Sequence, residues 1–177
     1  DISMTDNLFP FMFWGLGSGF SKNTWPGNSD STLSGGSPRY NIYETKDGGY
    51  LAAAPLEDRF WNKFCEAIEL PKKYINMDDN PKKVIQRIRD IIKLKNKDHW
   101  FDVFEKADCC CSIVKSLEEA INDNHFKVRE IFSRKILSEE GHEIPALPVP
   151  IDNQFRKAKI EEKAPKLGVH NLSLIHI

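Results

Sequence analysis

Residues 40–54 read YNIYETKDGGYLAAA, two short apolar runs set around Lys46-Asp47-Gly48-Gly49. Asp-Gly is the pair that tight hairpin turns favour, because both central positions need backbone angles that few other residues adopt. The segment therefore predicts a β-hairpin with strands at Asn41 to Glu44 and Tyr50 to Ala54.

The helices that follow are legible by periodicity. Phe60, Phe64, Ala67 and Ile68 fall on one helical face with Trp61 and Cys65 beside it, and Pro71 comes next as a stop. Glu57 precedes this helix and is a candidate cap for it. A second helix starts with Asn80 as cap and Pro81 in the first turn, where the missing N–H costs nothing. Val84, Ile88, Ile91 and Ile92 form its inward stripe. Its other face carries Lys82, Lys83, Arg87, Arg89 and Lys93, which reads as a solvated face, with a phosphate-binding patch as the competing reading. Trp100, Phe101 and Phe104 predict a third, short helix, and Ala107 to Val114 a buried strand. Ser116 and Glu119 have the spacing of a capping box, so a helix is expected from Leu117 to Asn122. A further helical turn is expected over His125 to Phe132, and an extended, proline-spaced segment from Ile144.

The first 40 residues change character midway. Met4, Leu8 and Met12 recur at helical spacing and Phe9 and Phe13 widen the stripe, which predicts a buried helix after Asp1, begun or kinked at Pro10. From Gly17 to Arg39 the residues become Gly, Ser, Asn, Asp and Pro, a composition of turns. This is read as a linker that ends in a functional loop at Gly35-Gly36.

Composition excludes several classes. With 25 basic and 26 acidic side chains and 40% hydrophobic residues, the 177-residue chain fits neither disorder nor a general nucleic-acid binder. It can be one domain or a fragment of something larger. It contains no apolar run of the roughly 18 residues that a membrane span needs, and no signal peptide. Cys65 and the run Cys109-Cys110-Cys111 form neither a disulfide framework nor a CxxC pair, so a reducing compartment fits best and the cysteines read as small core residues. On a strand, Cys109 and Cys111 share one side and Cys110 faces the other. The five histidines, His99, His125, His142, His170 and His176, show no metal-ligand spacing. Gly35-Gly36 lacks the spacing of a dinucleotide or P-loop motif. By residue type alone Asp1 is a helix cap or a functional acid, and the glycine pair a plain turn or a mobile loop.

A set of adjoining motifs goes further. DISMTDNLFPFMFW resembles the stretch in family III CoA transferases, and in the related α-methylacyl-CoA racemases, where an aspartate ends a strand and precedes a helix. SGGSPRYNIYETKDGGYLAAAPLEDRFWNKFCEAIEL is similar to the family's glycine-rich loop, hairpin and helix. VFEKADCCCSIVKSLEEAINDNHFKVREIF matches its strand, capped helix and His-Phe turn, and IPALPVPI with APKLGVHN its returning arm. The resemblance covers almost the whole chain in order.

It implies an α/β protein, the back part of a Rossmann-like large domain plus a small α/β domain, from a family of interlocked homodimers. Residues 1–34 would end the large domain, 35–135 form the small domain, and 136–177 return as an arm. Residues 172–177, LSLIHI, depart from the family pattern and read like translated sequencing adaptor. Most contacts to the CoA nucleotide would lie before Asp1. Asp1 matches the family's catalytic aspartate, and Gly35 and Gly36 the mobile cover over it. The implied activity moves CoA from an acyl-CoA to a carboxylic acid through aspartyl anhydride and aspartyl-CoA intermediates, with no metal, ATP or tightly bound cofactor and with the CoA thioester as substrate. Neither nucleic acid nor membrane is an expected partner. The family's place is cytoplasmic in bacteria and mitochondrial or peroxisomal in eukaryotes. Two alternatives stand beside it: a racemase working by α-proton exchange, whose partner histidine would lie upstream of Asp1, and an inactive fragment.

Overall fold

Tyr43 and Leu51 face each other across the antiparallel hairpin, and both are fully buried. They belong to β1 (Asn41–Glu44) and β2 (Tyr50–Ala53), the two strands expected from the sequence. The turn between them closes through Thr45 N donating to Gly49 O at 2.8 Å, with Gly48 in the left-handed region at φ 79°. Successive side chains on a strand point to opposite sides, so Tyr43, Leu51 and Ala53 share the buried face while Ile42 and Tyr50 lie on the exposed one. A third strand, β3 (Cys111–Ile113), pairs antiparallel with β2 and completes a sheet of order β1-β2-β3.

These features come from a computed structural model in which residues 2–76, 80–149, 151, 153–155 and 162–171 are described. Two units divide the chain, Asp1–Val114 and Lys115–Ile177.

In the first unit, three helices supply the other half of the core. They are α3 (Asp58–Ala67), α4 (Pro81–Ile92) and α5 (Lys97–Ala107). Trp61, Phe64, Phe104 and Trp100 stack in sequence with ring centroids 5.7–5.8 Å apart. Val84, Ile85, Ile88 and Ile92 pack into the same cluster as Tyr43 and Leu51. Each such side chain, fully buried, contributes about 1.5–3 kcal/mol by leaving water. The helix starts agree closely with the sequence. Asn80 Oδ1 accepts from Lys83 N at 3.2 Å with Pro81 at the first position. Glu57 takes the cap position of α3 with extended backbone angles, but its side chain makes no capping bond.

Several expectations change in detail. Ile85 rather than Ile91 completes the fully buried stripe of α4, and Phe101 is exposed on α5. The strand expected over Ala107 to Val114 is only three residues long. Ala107 still belongs to α5, and Asp108 and Cys110 adopt left-handed angles, φ 47° and 56°, which a strand cannot contain. Cys109 is buried, Cys110 exposed and Cys111 half-buried, which agrees with Cys110 facing away from the other two.

The N-terminal helix differs most. Helical turns form at α1 (Leu8–Phe11) and α2 (Phe13–Lys22), broken at Met12, and Pro10 lies in the first turn of α1, where it removes no intrahelical bond. The expected burial is not observed: Met4 is 86% and Phe11 84% exposed, and Leu8, Phe9, Met12 and Phe13 are exposed as well. Periodicity sets which side of a helix is apolar but not whether this chain covers it. The helix also continues past Gly17 to Lys22, because Gly15 and Gly19, one turn apart, form a groove that the returning chain fills. A Cβ on Gly15 would lie 3.0 Å from Pro26 Cγ, and one on Gly19 2.4 Å from the Trp25 ring.

The second unit begins with α6 (Leu117–Ile121), whose capping box is complete: Glu119 N donates to Ser116 Oγ at 3.1 Å and Ser116 N to Glu119 Oε2 at 2.8 Å. Next comes α7 (Asn124–Val128), capped by Asp123 and shorter than the turn expected to run to Phe132. The strands β4 (Lys135–Leu137), β5 (Glu143–Pro145) and β6 (Glu162–Lys163) form a small sheet of order β5-β4-β6. The extended segment at Ile144 is thus part of a sheet edge. Residues 172–177 lie outside the described residues. The architecture is mixed α/β, as expected.

Candidate functional site

The stretch between α2 and β1 is a tightly bonded loop, not a slack linker. Gly27 N donates to Asp30 Oδ1 at 2.9 Å, which closes its first turn. Ser34 N and Gly36 N both donate to Ser31 O, at 3.1 and 3.0 Å, and the Ser31 and Ser34 hydroxyls meet at 2.7 Å. Gly35 sits at φ +100°, a conformation that residues with a Cβ rarely adopt. At Gly36 the reason for glycine is contact: an added Cβ would lie 2.1 Å from Asp30 O. Asn41 reaches back from β1, its Nδ2 donating to Gly35 O at 2.7 Å.

Two further side chains fasten the end of this loop. Arg39 Nη1 donates to Leu56 O at 2.9 Å and to Asp58 Oδ1 at 2.6 Å, and its guanidinium carbon lies 5.1 Å from the centroid of the Trp61 ring. Tyr43 OH donates to Pro38 O at 2.8 Å. Burial pushes the Tyr43 hydroxyl well above the usual tyrosine range, and the nearby Arg89 charge only partly opposes this. Tyr43 is therefore a neutral, permanent donor that ties the loop to the core.

The loop and the exposed side of the hairpin enclose a cleft of about 530 Å³. Gly35, Ser29 and Leu33 line it from the loop, Ile42 and Ala52 from the sheet, and Arg89 from α4. A second cleft, about 610 Å³, lies between α2 and the same loop, with Phe13, Trp14 and Asp30 on its walls. Residues of the loop thus border both clefts.

Of the residues singled out by sequence, Gly35 lines the first cleft, while Gly36 is held against the Asp30 backbone. Asp1 lies outside the described residues, so no distance relates it to the glycines. Among the described residues, no three His, Cys, Asp or Glu side chains gather as metal ligands, and no helix is long and apolar enough to cross a membrane. Sequence reasoning did not single out Arg39 or Asn41, whose partners lie on separate elements, and placed Arg89 on a solvated face. The signal for Arg39 was its position directly after Pro38, at the junction of loop and strand.

A sequence profile of CoA-transferase family III matches residues 1–171. The human α-methylacyl-CoA racemase is 28% identical over 148 residues, which is 81% of this chain and 37% of the human protein. A CaiB/baiF CoA-transferase family protein of Caenorhabditis elegans is 26% identical over 87 residues, 49% of this chain and 25% of its own length. The chain therefore spans little more than a third of the curated relatives that it matches over most of its length. In fold it is similar to the crystal structures of Rv3272 from Mycobacterium tuberculosis, with a TM-score of 0.64, 13% identity, and 98% of this chain against 45% of that one.

Proposed function

The chain belongs to CoA-transferase family III, and from that membership we propose that the protein it represents moves CoA between an acyl-CoA and a carboxylic acid, with Asp1 as the covalent nucleophile. The observation that carries this reading is the family match over residues 1–171, a span that includes Asp1. Coenzyme A enters as the thioester of the substrate and is not a resident cofactor.

The Asp1 carboxylate attacks the thioester carbonyl, the C–S bond breaks, and CoA leaves as thiolate from a mixed anhydride. The thiolate then attacks the aspartyl carbonyl, forming aspartyl-CoA and releasing the donor acid. The acceptor carboxylate attacks aspartyl-CoA to give a new anhydride and thiolate. A final attack by thiolate on the acyl carbonyl releases the new acyl-CoA and restores Asp1. Splitting one hard displacement into carboxyl exchanges suits a carboxylate nucleophile. The thioester is conserved throughout, so no ATP is consumed.

Each anhydride must be kept from water, and the loop bearing Gly35 supports that role because it borders both clefts. Asn41, Tyr43 and Arg39 brace the end of the loop, at Gly35, Pro38 and Leu56, so that Gly35 and Gly36 are proposed as the cover over Asp1 at the junction between the braced end and the turn before it.

A racemase is the second reading, favoured by the human racemase matching 81% of this chain, against 49% for the worm protein. There Asp1 would carry a proton to or from the carbon next to the thioester carbonyl, with a second carrier on the opposite side of the enolate. A homodimer is proposed for either chemistry.

The test uses the intact gene product with a panel of acyl-CoAs and acids, following CoA exchange and the loss of α-proton label together. Exchange without wash-out is expected; wash-out without exchange selects the racemase. Asp1→Ala abolishes either activity, and normal turnover by this variant refutes the assignment.

A further inference from the structure

We propose that Arg89 forms an anion subsite in the cleft beside the glycine loop, where it takes a carboxylate or phosphate oxygen group of a ligand whose apolar part lies along the sheet. This deepens the proposed function and rests on it for the identity of the ligand, though not for the existence of the site.

The α4 cations are not equivalent. Arg89 lines the 530 Å³ cleft beside Gly35, and it also lines a smaller cleft, about 310 Å³, beside Ile42, Glu44 and Tyr50. It therefore stands between two concavities over the exposed side of the hairpin. Lys82, Lys83 and Arg87 line neither cleft.

The nearby acids are already engaged. Glu44 pairs with Lys93 at 2.6 Å, and Asp90 accepts from Gln86 Nε2 at 3.0 Å. Among the described residues no carboxylate pairs with Arg89, so its guanidinium keeps its donors for a ligand. Its planar fork matches the two oxygens of a carboxylate, or two of a phosphate, better than an ammonium would. Leu33, Ile42 and Ala52 provide an apolar wall beside that single cation. A chain with an apolar middle and an anionic end fits this arrangement; a purely apolar acyl chain leaves the guanidinium unmatched.

Two sources share this chemistry: the far carboxylate of a dicarboxylic substrate, and a phosphate of the CoA nucleotide. Calorimetry on the intact gene product separates them, with glutarate against butyrate for the first and adenosine 3′,5′-bisphosphate against adenosine for the second. Arg89→Gln is expected to weaken binding of glutarate, or of the bisphosphate, at least tenfold while butyrate and adenosine bind as before. The affected anion identifies the source. Arg89→Lys recovers part of the loss, and Lys83→Gln changes nothing. Equal affinity of wild type and Arg89→Gln for both anions, or an equal loss in Lys83→Gln, overturns the subsite. Because binding needs no turnover, a protein that binds through Arg89 but shows neither exchange nor wash-out would refute the proposed function and leave the subsite standing.

Discussion

Arg39 Nη1 lies 2.6 Å from Asp58 Oδ1, joining the end of the glycine loop to the first turn of α3. The two partners do not contribute equally. Asp58 is 86% exposed at its side chain and Arg39 only 24%. An ion pair with one partner in water is worth little, about 0–1 kcal/mol. The Leu56 carbonyl bond and the Trp61 ring contact belong to Arg39 alone. We expect Asp58→Asn to lower stability by less than about 1 kcal/mol, and Arg39→Ala by about 1–3 kcal/mol through the lost bond and ring contact. Urea unfolding of both variants checks the ranking; equal losses would mean that the surface charge, not the buried stem and its carbonyl bond, fastens the loop.

A second link is longer in sequence. The Asp47 carboxylate, in the hairpin turn, accepts from Thr45 Oγ1 at 2.6 Å and from Lys97 N at 3.0 Å, so a residue of one turn caps α5 fifty positions away. The Thr45 hydroxyl first, and the Lys97 amide with it, hold the Asp47 carboxyl below the usual carboxylate range. The folded pKa is therefore lower than the unfolded one. Its stabilising contribution is full above the ordinary value of about 3.9 and is lost as pH falls through the depressed folded value. Asp47→Asn, which keeps a good turn residue, is expected to be less stable than wild type at pH 7, with the gap closing below about pH 4. Urea midpoints across this range test it; a gap that stays constant would show that the charge is not involved.

Local chemistry explains what the sequence disclosed. Asn80 caps a helix whose first amides lie three residues away, and Ser116 and Glu119 satisfy each other, so both ends can be read from a window of four residues. The hairpin is similarly self-contained. Asp47 to Lys97 and Arg39 to Asp58 are pairings between elements, and no local pattern marks them. The apolar stripe from Met4 to Phe13 was legible as helix from Leu8 onward, with Met4 in the turns before it, but its exposure depends on what other chain meets it. Family likeness, not periodicity, singled out Asp1 and the glycines. It did not single out Arg89, whose role depends on Glu44 and Asp90 having other partners.

The aromatic stack gives the core's sensitivity. Phe64 is fully buried between Trp61 and Phe104. Phe64→Ala removes a ring with neighbours on both sides and is expected to cost about 3–5 kcal/mol, whereas Phe101→Ala, on the exposed side of α5, costs less than about 1 kcal/mol. Denaturant midpoints at constant slope decide between them. Similar losses would place Phe101 in a contact that this chain does not make by itself.

The four cysteines should separate by reactivity. Burial pushes the Cys65 thiol up to about 12, so at pH 8 only about one molecule in 10⁴ carries the thiolate. Hydrogen bonding between the neighbouring Cys109 and Cys111 thiols pushes Cys111 up and Cys109 down, and Cys109 remains buried. Cys110 alone among them is exposed. Native labelling with a small alkylating agent at pH 8, read by peptide mass, is expected to modify Cys110 first and Cys65 only after unfolding. Rapid native labelling of Cys65 would contradict its burial.

Gly36 and Gly48 separate contact from conformation. A Cβ on Gly48 meets nothing within 4 Å, but the residue sits at φ +79°, so Gly48→Ala should cost only the backbone strain of about 1–2 kcal/mol. At Gly36 the obstacle is the Asp30 carbonyl oxygen at 2.1 Å from the added Cβ, and main chain cannot rotate aside as a side chain can. Gly36→Ala must shift the turn from Asp30 to Ser34, which also carries the Ser31 bonds and borders both clefts. We expect a stability loss of about 1–3 kcal/mol together with faster amide exchange at Ser34 and Gly36. In the intact protein Gly36→Ala should lower turnover far more than Gly48→Ala does. Equal turnover in the two variants would remove the glycine loop from the working part of the molecule and leave it as a brace for the hairpin.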